Sequence, residues 1–264
     1  MANIITDAEL VNQFAKQAME EPESVVETKA PLGPEVHLPG GFVDKNGEVI
    51  KTAEVRELNG MDEEMIAKAS TTGKALGILL QRGLTRLGSR EVTRDDFDLL
   101  LSGDRDAILL GIRKVTFGES VDYKIRCGAC GEEQVASVDL SKDIPVKELE
   151  DPIADRTWNV ETAKGIAVIS LPTGVTQRKL LENADKTSAE INTLLLSGCI
   201  VSVNGIPSMG ATTALNLGMA DRSKIVEEII DRNPGPRLGE VSKTCKACGE
   251  EIALPLSLVD LFRV

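Results

Sequence analysis

Two short cysteine pairs constrain this chain more than any other feature: Cys127-Gly-Ala-Cys130 and Cys245-Lys-Ala-Cys248. Each is followed by Gly-Glu-Glu, at 131–133 and 249–251, and each sits at the tip of a segment that reads as a β-hairpin. The glycine after the second cysteine permits the tight turn that points both sulfurs inward. Two such tips close one tetrahedral site, so Cys127, Cys130, Cys245 and Cys248 are the expected ligands of a zinc ribbon. A catalytic zinc keeps one position open for water, and four sulfurs leave none; the expected metal is therefore structural. Zinc is preferred, although four thiolates also hold iron. A pair of disulfides would need an oxidising compartment, whereas the sequence shows no secretory pattern and leaves a fifth cysteine, Cys199, in an apolar run. A thioredoxin-type motif would place a single CxxC at the start of a helix, not two near-identical copies in hairpins. Cys199 reads as a small buried apolar residue.

Charge narrows the partners. Against 30 basic residues stand 42 acidic ones, and the net charge of -12 opposes binding to nucleic acid or to an anionic membrane. The same balance holds locally. Lys124 and Arg126 are offset by Glu119, Asp122, Glu132 and Glu133, and Lys243 and Lys246 by Glu250 and Glu251, which argues against a ribbon that reads nucleic acid. With a single Trp158 and a single Tyr123, the stacking platforms of a single-strand binder are missing too. No apolar run approaches the roughly 18 residues that span a bilayer. The chain is expected to be soluble and intracellular when made.

Along the chain, residues 1–35 read as an acidic arm with one amphipathic helix over 7–19, whose Leu10 and Phe14 are candidate partner contacts. Residues 36–118 form a strand-plus-helix region: a strand at 36–43, an Asn46-Gly47 turn, a returning strand at 53–58, then helices from about 62, over 74–81, and from 102 onward. Thr72-Gly73-Lys74 resembles part of a phosphate loop, but the motif's first glycine is absent and Ala75 stands where Ser or Thr would hold magnesium. Asp104, Arg105 and Asp106 could form an acid–base cluster, but acidic residues at a helix start stabilise its dipole, which is the commoner reading. Residues 119–140 and 237–264 make the split ribbon and an apolar tail, in which Leu256, Leu258, Leu261 and Phe262 are further candidate partner anchors. The 114 residues between the knuckles (131–244) exceed any hairpin connection, so 141–236 is expected to be an inserted α/β subdomain clamped at its base by the metal. It reads as strands at 157–161, 166–171 and 199–203 and helices at 175–184, 188–196 and 221–232, the last burying Ile225, Ile229 and Ile230. The expected fold is α+β: a zinc-ribbon-like pair of hairpins with a long α/β insertion and an N-terminal strand-plus-helix region.

The order of several short motifs resembles a known family. Leu38-Pro-Gly-Gly41, Glu57-Leu-Asn-Gly-Met-Asp-Glu-Glu64, Gly103-Asp-Arg-Asp-Ala-Ile-Leu-Leu110, the two CxxC-Gly-Glu knuckles and the closing Leu-Val-Asp-Leu-Phe are similar to the baseplate proteins of contractile-tailed phages, with the T-even-type hub or wedge component as the nearest description. Related contractile injection particles carry such proteins as well. The resemblance spans roughly 36–264. It implies a structural or assembly role in the virion tail baseplate, other baseplate or tail proteins as partners, and no enzymatic activity. An enzyme stabilised by a zinc ribbon, a hydrolase or a nucleotide-handling protein, is the competing class. Against it, the single His37 has no Gly-x-Ser-x-Gly or comparable nucleophile pattern nearby, no dinucleotide loop is present, and no small-molecule substrate is expected.

Overall fold

The computed structural model of the protein describes residues 34–254 and 256–262; the expected contacts Leu10 and Phe14 lie outside the described residues. The chain opens with β1 (Glu35–Val43) and β2 (Val49–Val55), paired antiparallel. Asp44 closes the turn between them by accepting the N–H groups of Asn46 and Glu48, and Gly47 takes the left-handed conformation at φ 83°. Because this turn closes early, the returning strand starts at Val49 rather than at 53. Two helices follow, α1 (Gly60–Ala67) and α2 (Thr72–Gly83), then β3 (Leu84–Leu87) and β4 (Arg90–Glu91), which complete a sheet of order β1-β2-β3-β4.

Asn59 starts α1 with a reciprocal capping box: its side chain accepts the N–H groups of Met61 and Asp62, and Asp62 accepts the N–H of Asn59. Asp62 does more than serve the helix dipole. Fully buried, it lies 2.8 Å from Arg56 and 2.5 Å from Arg82. Burial would raise its pKa, but the hydrogen bonds from Arg82, Asn59 and Arg56 outweigh that and hold the carboxyl below the usual carboxylate range.

After α3 (Asp96–Leu99) comes α4 (Ser102–Phe117), the helix around which the rest is arranged. Ile108, Leu109 and Ile112 enter the core beneath the first sheet, with Leu38, Phe42, Leu79, Leu80 and Leu87; Leu110 enters the ribbon core. Its first turn, expected to present charges at a helix start, is buried. Asp104 has no exposure and accepts the Gly40 N–H at 2.7 Å through Oδ1, while its Oδ2 has no hydrogen-bond partner. Arg105 is 7% exposed. The reason is close approach: a Cβ added at Gly103 would overlap the Pro234 carbonyl, so the chain leaving residue 233 lies directly on the helix start.

The ribbon hairpin β5 (Ser120–Arg126) and β6 (Glu133–Asp139) pairs in unbroken register from Ser120↔Asp139 to Arg126↔Glu133. A short strand, β7 (Val146–Lys147), leads to a second mixed body. It consists of β8 (Thr157–Thr162), β9 (Gly165–Ser170), α5 (Gly174–Glu182), α6 (Ser188–Cys199), β10 (Ile200–Val203), β11 (Ile206–Pro207), α7 (Ala211–Leu215) and α8 (Met219–Arg232). Its sheet runs β11-β10-β9-β8, and Val160, Ala167, Ile169, Leu196, Cys199, Ile225 and Ile229 form its core. Cys199 is buried there, and burial pushes its thiol up to about 12. Ile230 departs from expectation at 57% exposed. Ile225 and Ile229 share one face at i,i+4, and the next residue turns about 100° away from it. On the same helix Glu228 accepts the Trp158 indole N–H at 2.9 Å.

The chain returns through β12 (Gly235–Pro236), β13 (Ser242–Thr244), β14 (Glu251–Ala253) and α9 (Leu258–Leu261). Here the apolar tail, expected to supply partner anchors, packs on the chain's own body. Leu256 and Leu261 are buried in the ribbon core, Leu258 and Phe262 pack half-buried against the chain's own clusters, and Arg113 Nε donates to the Leu261 carbonyl at 2.5 Å. The tail closes over α4 because these clusters would otherwise stay open to water.

Two predictions concern α4. Gly103→Ala drives a methyl into the Pro234 carbonyl and is expected to destabilise by about 3 kcal/mol or more, read from a urea unfolding curve. Burial raises the Asp104 carboxyl from 3.8 to about 6, against the Gly40 N–H, Arg156 and His37, which favour its charge. The native state therefore holds a proton that the unfolded chain releases, so this group's contribution is full below pH 4 and is lost as pH rises to about 6. Asp104→Asn keeps an acceptor for Gly40 and is expected to flatten the stability profile between those pH values; an unchanged profile would show that the slope arises elsewhere.

Candidate metal centre

Each knuckle is built by the same three local devices. Cys127 donates its N–H to the Glu132 carbonyl and accepts from Gly131 N–H, both at 2.9 Å; Cys245 does the same with Glu250 and Gly249 at 2.7 and 2.9 Å. Gly131 and Gly249 take left-handed φ values of 76° and 78°, which an L side chain resists. The second residue of each pair thereby comes back over the first. In both pairs the first cysteine is buried and the second is exposed, so the cluster lies at the outer tip of the ribbon.

The two tips meet. All four sulfurs lie within 4.8 Å of one another, with Cys127 Sγ to Cys248 Sγ and Cys130 Sγ to Cys245 Sγ both 3.7 Å. A tetrahedral ion with metal–sulfur bonds of about 2.3 Å requires sulfur–sulfur edges of roughly 3.8 Å, whereas a disulfide brings sulfurs to about 2.05 Å. The donor set and its spacing therefore fit a four-coordinate metal ion and not a pair of disulfides. Backbone N–H groups of Cys248 and Ala247 draw the Cys245 thiol down to about 7. The Glu250 N–H also favours a thiolate at Cys248, but the neighbouring sulfurs outweigh it and push that group up to about 12.

Residues with no sequence signature hold the two hairpins against each other. Gln134 Oε1 on β6 accepts the Lys246 N–H at 3.0 Å, reaching across to the second knuckle. Lys243 on β13 meets Asp143 at 2.5 Å, and Asp143 also accepts the Asp139 N–H. Glutamine beside a glutamate pair and a single lysine are ordinary hairpin surface, so neither stands out before the hairpins are juxtaposed. Below them Val138, Leu140, Val241 and Leu254 close a small apolar core with Val121, Tyr123 and Ile125.

The cysteine cluster is not the sole tie at the neck of residues 148–234. β7 and β12 pair antiparallel, Lys147 opposite Gly235 and Val146 opposite Pro236, and the Arg237 N–H reaches the Pro145 carbonyl at 2.7 Å. Arg237 also donates to the carbonyls of Ile230, Asp231 and Asn233 at the end of α8. His37, remote in sequence from the knuckles, pairs with Glu148 at 3.3 Å on an exposed surface.

A mixed α+β body carrying a zinc-ribbon-like arrangement split across its sequence, with four clustered cysteines that could hold a metal ion, is the class of protein the fold defines. Residues 50–263 match the sequence profile of the family described as T4 bacteriophage base plate protein, and the chain belongs to that family. Searches among curated proteins and among solved structures give no match. Family membership associates the chain with other baseplate proteins of a virion tail. Among the described residues no helix is long and apolar enough to cross a membrane.

Cys127→Ser and Cys248→Ser each remove one sulfur from the set and are expected to abolish stoichiometric metal binding, measured by elemental analysis of the purified chain. Because the β7–β12 pair and Arg237 remain, hydrogen exchange is expected to accelerate in β5, β6, β13 and β14 while β9 and α6 keep their protection. Equal loss of protection in both regions would show that the metal alone holds the neck.

Proposed function

We propose that the protein is a structural or assembly component of the phage tail baseplate, acting through protein–protein contacts, with one zinc held by Cys127, Cys130, Cys245 and Cys248. The observation that carries this reading is the family match over 50–263, which includes both knuckles. The geometry supports the zinc: a closed set of four thiolates makes a metal that braces two hairpins and leaves no position for a substrate or a water nucleophile. A two-stranded hairpin is marginal alone, and metal binding adds folding free energy at the tip where the apolar core is thinnest. The work assigned to the chain is geometric, with no catalytic step. The virion tail is its proposed place, after synthesis in the host cytoplasm. Nucleic acid is not a proposed partner, since the net charge of -12 repels a phosphate backbone.

Partner contacts are assigned to the surface that the fold leaves open and not to Leu256 and Leu261, which the chain's own core occupies. The test is genetic and structural together. A phage lacking this chain is expected to yield particles without complete tails by electron microscopy, complementation with the native gene to restore them, and Cys248→Ser to restore them poorly. Native tails at normal yield without the chain would refute the assembly role, and iron or no metal in the purified native chain would refute zinc.

A further inference from the structure

From residue 191 to residue 220 the chain carries no Asp, Glu, Lys, Arg or His, although charged residues make up 27% of the sequence. Burial accounts for the first part of this run, since α6 places Leu196 and Cys199 in the core of the second body. It does not account for the rest. Val201 is 48% exposed, Ile206 69%, Met209 72%, Leu215 66% and Met219 86%. A surface hairpin and the helix starts beside it ordinarily carry charge, whereas this segment presents large apolar side chains to water.

Local structure ties these residues together. The Ser208 N–H donates to the Val201 carbonyl at 2.9 Å, and the Met209 N–H to Thr213 Oγ1 on α7 at 2.8 Å. With five residues, α7 is only about 8 Å long. Arg222 of α8 donates to the Ala214 carbonyl at 2.8 Å and so holds the end of α7 beside the start of α8. Ala214 and Leu217 turn into the core, which leaves Leu215 and Met219 outside. β11 is the last strand of its sheet, but its edge is closed to a further strand there: Pro207 has no N–H, and that of Ser208 is spent on Val201. Whatever covers this surface does so through side chains.

We propose that the uncharged surface pairs with the same surface on a second copy of the chain, with Ile206, Met209, Leu215 and Met219 of each copy meeting across a twofold axis. The five exposed residues offer on the order of 600 Å2, as much as the largest apolar patch of an ordinary monomer and most of the roughly 800 Å2 that each partner buries in a stable pair. Charge selects a second copy over a foreign protein. A foreign partner is steered and oriented by opposite charges, and this segment offers none. In a twofold pair, residues near the axis face their own counterparts, so any charge there meets its like. A charge-free surface meets that condition, while the acidic excess elsewhere makes self-contact repulsive. The bordering charges are turned toward the chain itself: Asp221 accepts the Ala163 N–H at 3.0 Å, and Arg222 also donates to Thr193 Oγ1 at 2.8 Å. This pairing does not depend on the baseplate role.

The test is the mass of the full-length chain in solution, with zinc present and a reductant that keeps the exposed Cys130 and Cys248 from cross-linking copies. Sedimentation equilibrium is expected to show the average mass rising from one chain toward two, with a dissociation constant on the order of micromolar. Added salt is expected to lower that constant, because screening relieves repulsion between chains of net charge -12 and no ion pair is lost. Met219→Asp places a carboxylate in the first turn of α8, where it suits the helix dipole. Its unfolding temperature is therefore expected to be unchanged or slightly higher, while association weakens at least about tenfold. Ile206→Lys, a substitution that an edge strand tolerates, is expected to weaken association as much. Met61→Asp, at an equally exposed methionine on α1, is expected to associate like the native chain. A monomer at every concentration would overturn the proposal and leave the surface to a different protein. Association unchanged by Met219→Asp and Ile206→Lys, an equal loss in Met61→Asp, or dissociation on adding salt would overturn it as well.

Discussion

The first two turns of α4 have almost no solvent face, and the arrangement of everything else follows from that. Gly103 lies against the Pro234 carbonyl, Asp104 holds the Gly40 N–H, and Ile108, Leu109, Leu110 and Ile112 are divided between the core under the first sheet and the core under the ribbon. A helix enclosed in this way must meet a different partner on each side, and here the partners come from segments up to 148 residues apart: Ser102 bonds Asn233 at 3.0 Å and Arg113 bonds the Leu261 carbonyl at 2.5 Å. A side chain larger than hydrogen does not fit at position 103, and the buried polar groups beside it must find partners within the chain. The orphaned Oδ2 of Asp104 is the residual cost, and burial raises that carboxyl accordingly.

Stability at the two extremes of the molecule has different sources. The body around α4 depends on apolar burial and on enclosed ion pairs such as Asp62 between Arg56 and Arg82, where removing one partner would strand a charge. The ribbon has two short hairpins and a thin core, and its outer tip contains sulfur where a larger domain would have leucine. A four-thiolate site at that position supplies cross-linking without needing volume. Between them, the β7–β12 pair and the arginine cap on α8 fasten the neck of residues 148–234 by hydrogen bonds to backbone groups, independently of the cysteine cluster at the tip.

The molecule's charge suits a component that works among other proteins. Its acidic excess discourages adhesion to nucleic acid, while many of its arginines are drawn inward: Arg56, Arg82 and Arg90 to carboxylates, Arg113, Arg156 and Arg237 to carbonyls. Arginine spans an apolar layer with its stem and satisfies several acceptors with its planar head, which lysine does not do as well. Arg105 likewise donates to the Phe97 carbonyl, and Arg86, Arg90 and Arg105 each keep a buried Nε without a hydrogen-bond partner.

What the sequence determined by itself was local. The CxxC-Gly repeats specified both knuckles and hence which cysteines cluster, because the turn is encoded within six residues; alternation specified β5 and β6, and Asn204-Gly205 the β10–β11 turn. The α+β class, the ribbon and the family were legible from those runs and their order. Tertiary structure decided the roles of residues whose local signal is ambiguous. Asp62 and Asp104 look like helix-start charges until the arginines or the Gly40 N–H arrive from elsewhere. Leu256 and Leu261 look like anchors for a partner until the space over α4 is seen to need them, and Ile230 looks buried until the face of α8 is fixed by its sheet. The physical reason is the same in each case: a turn is fixed by backbone dihedrals a few residues apart, but whether a side chain is buried depends on which distant surface reaches it first, and no periodicity within one helix encodes that.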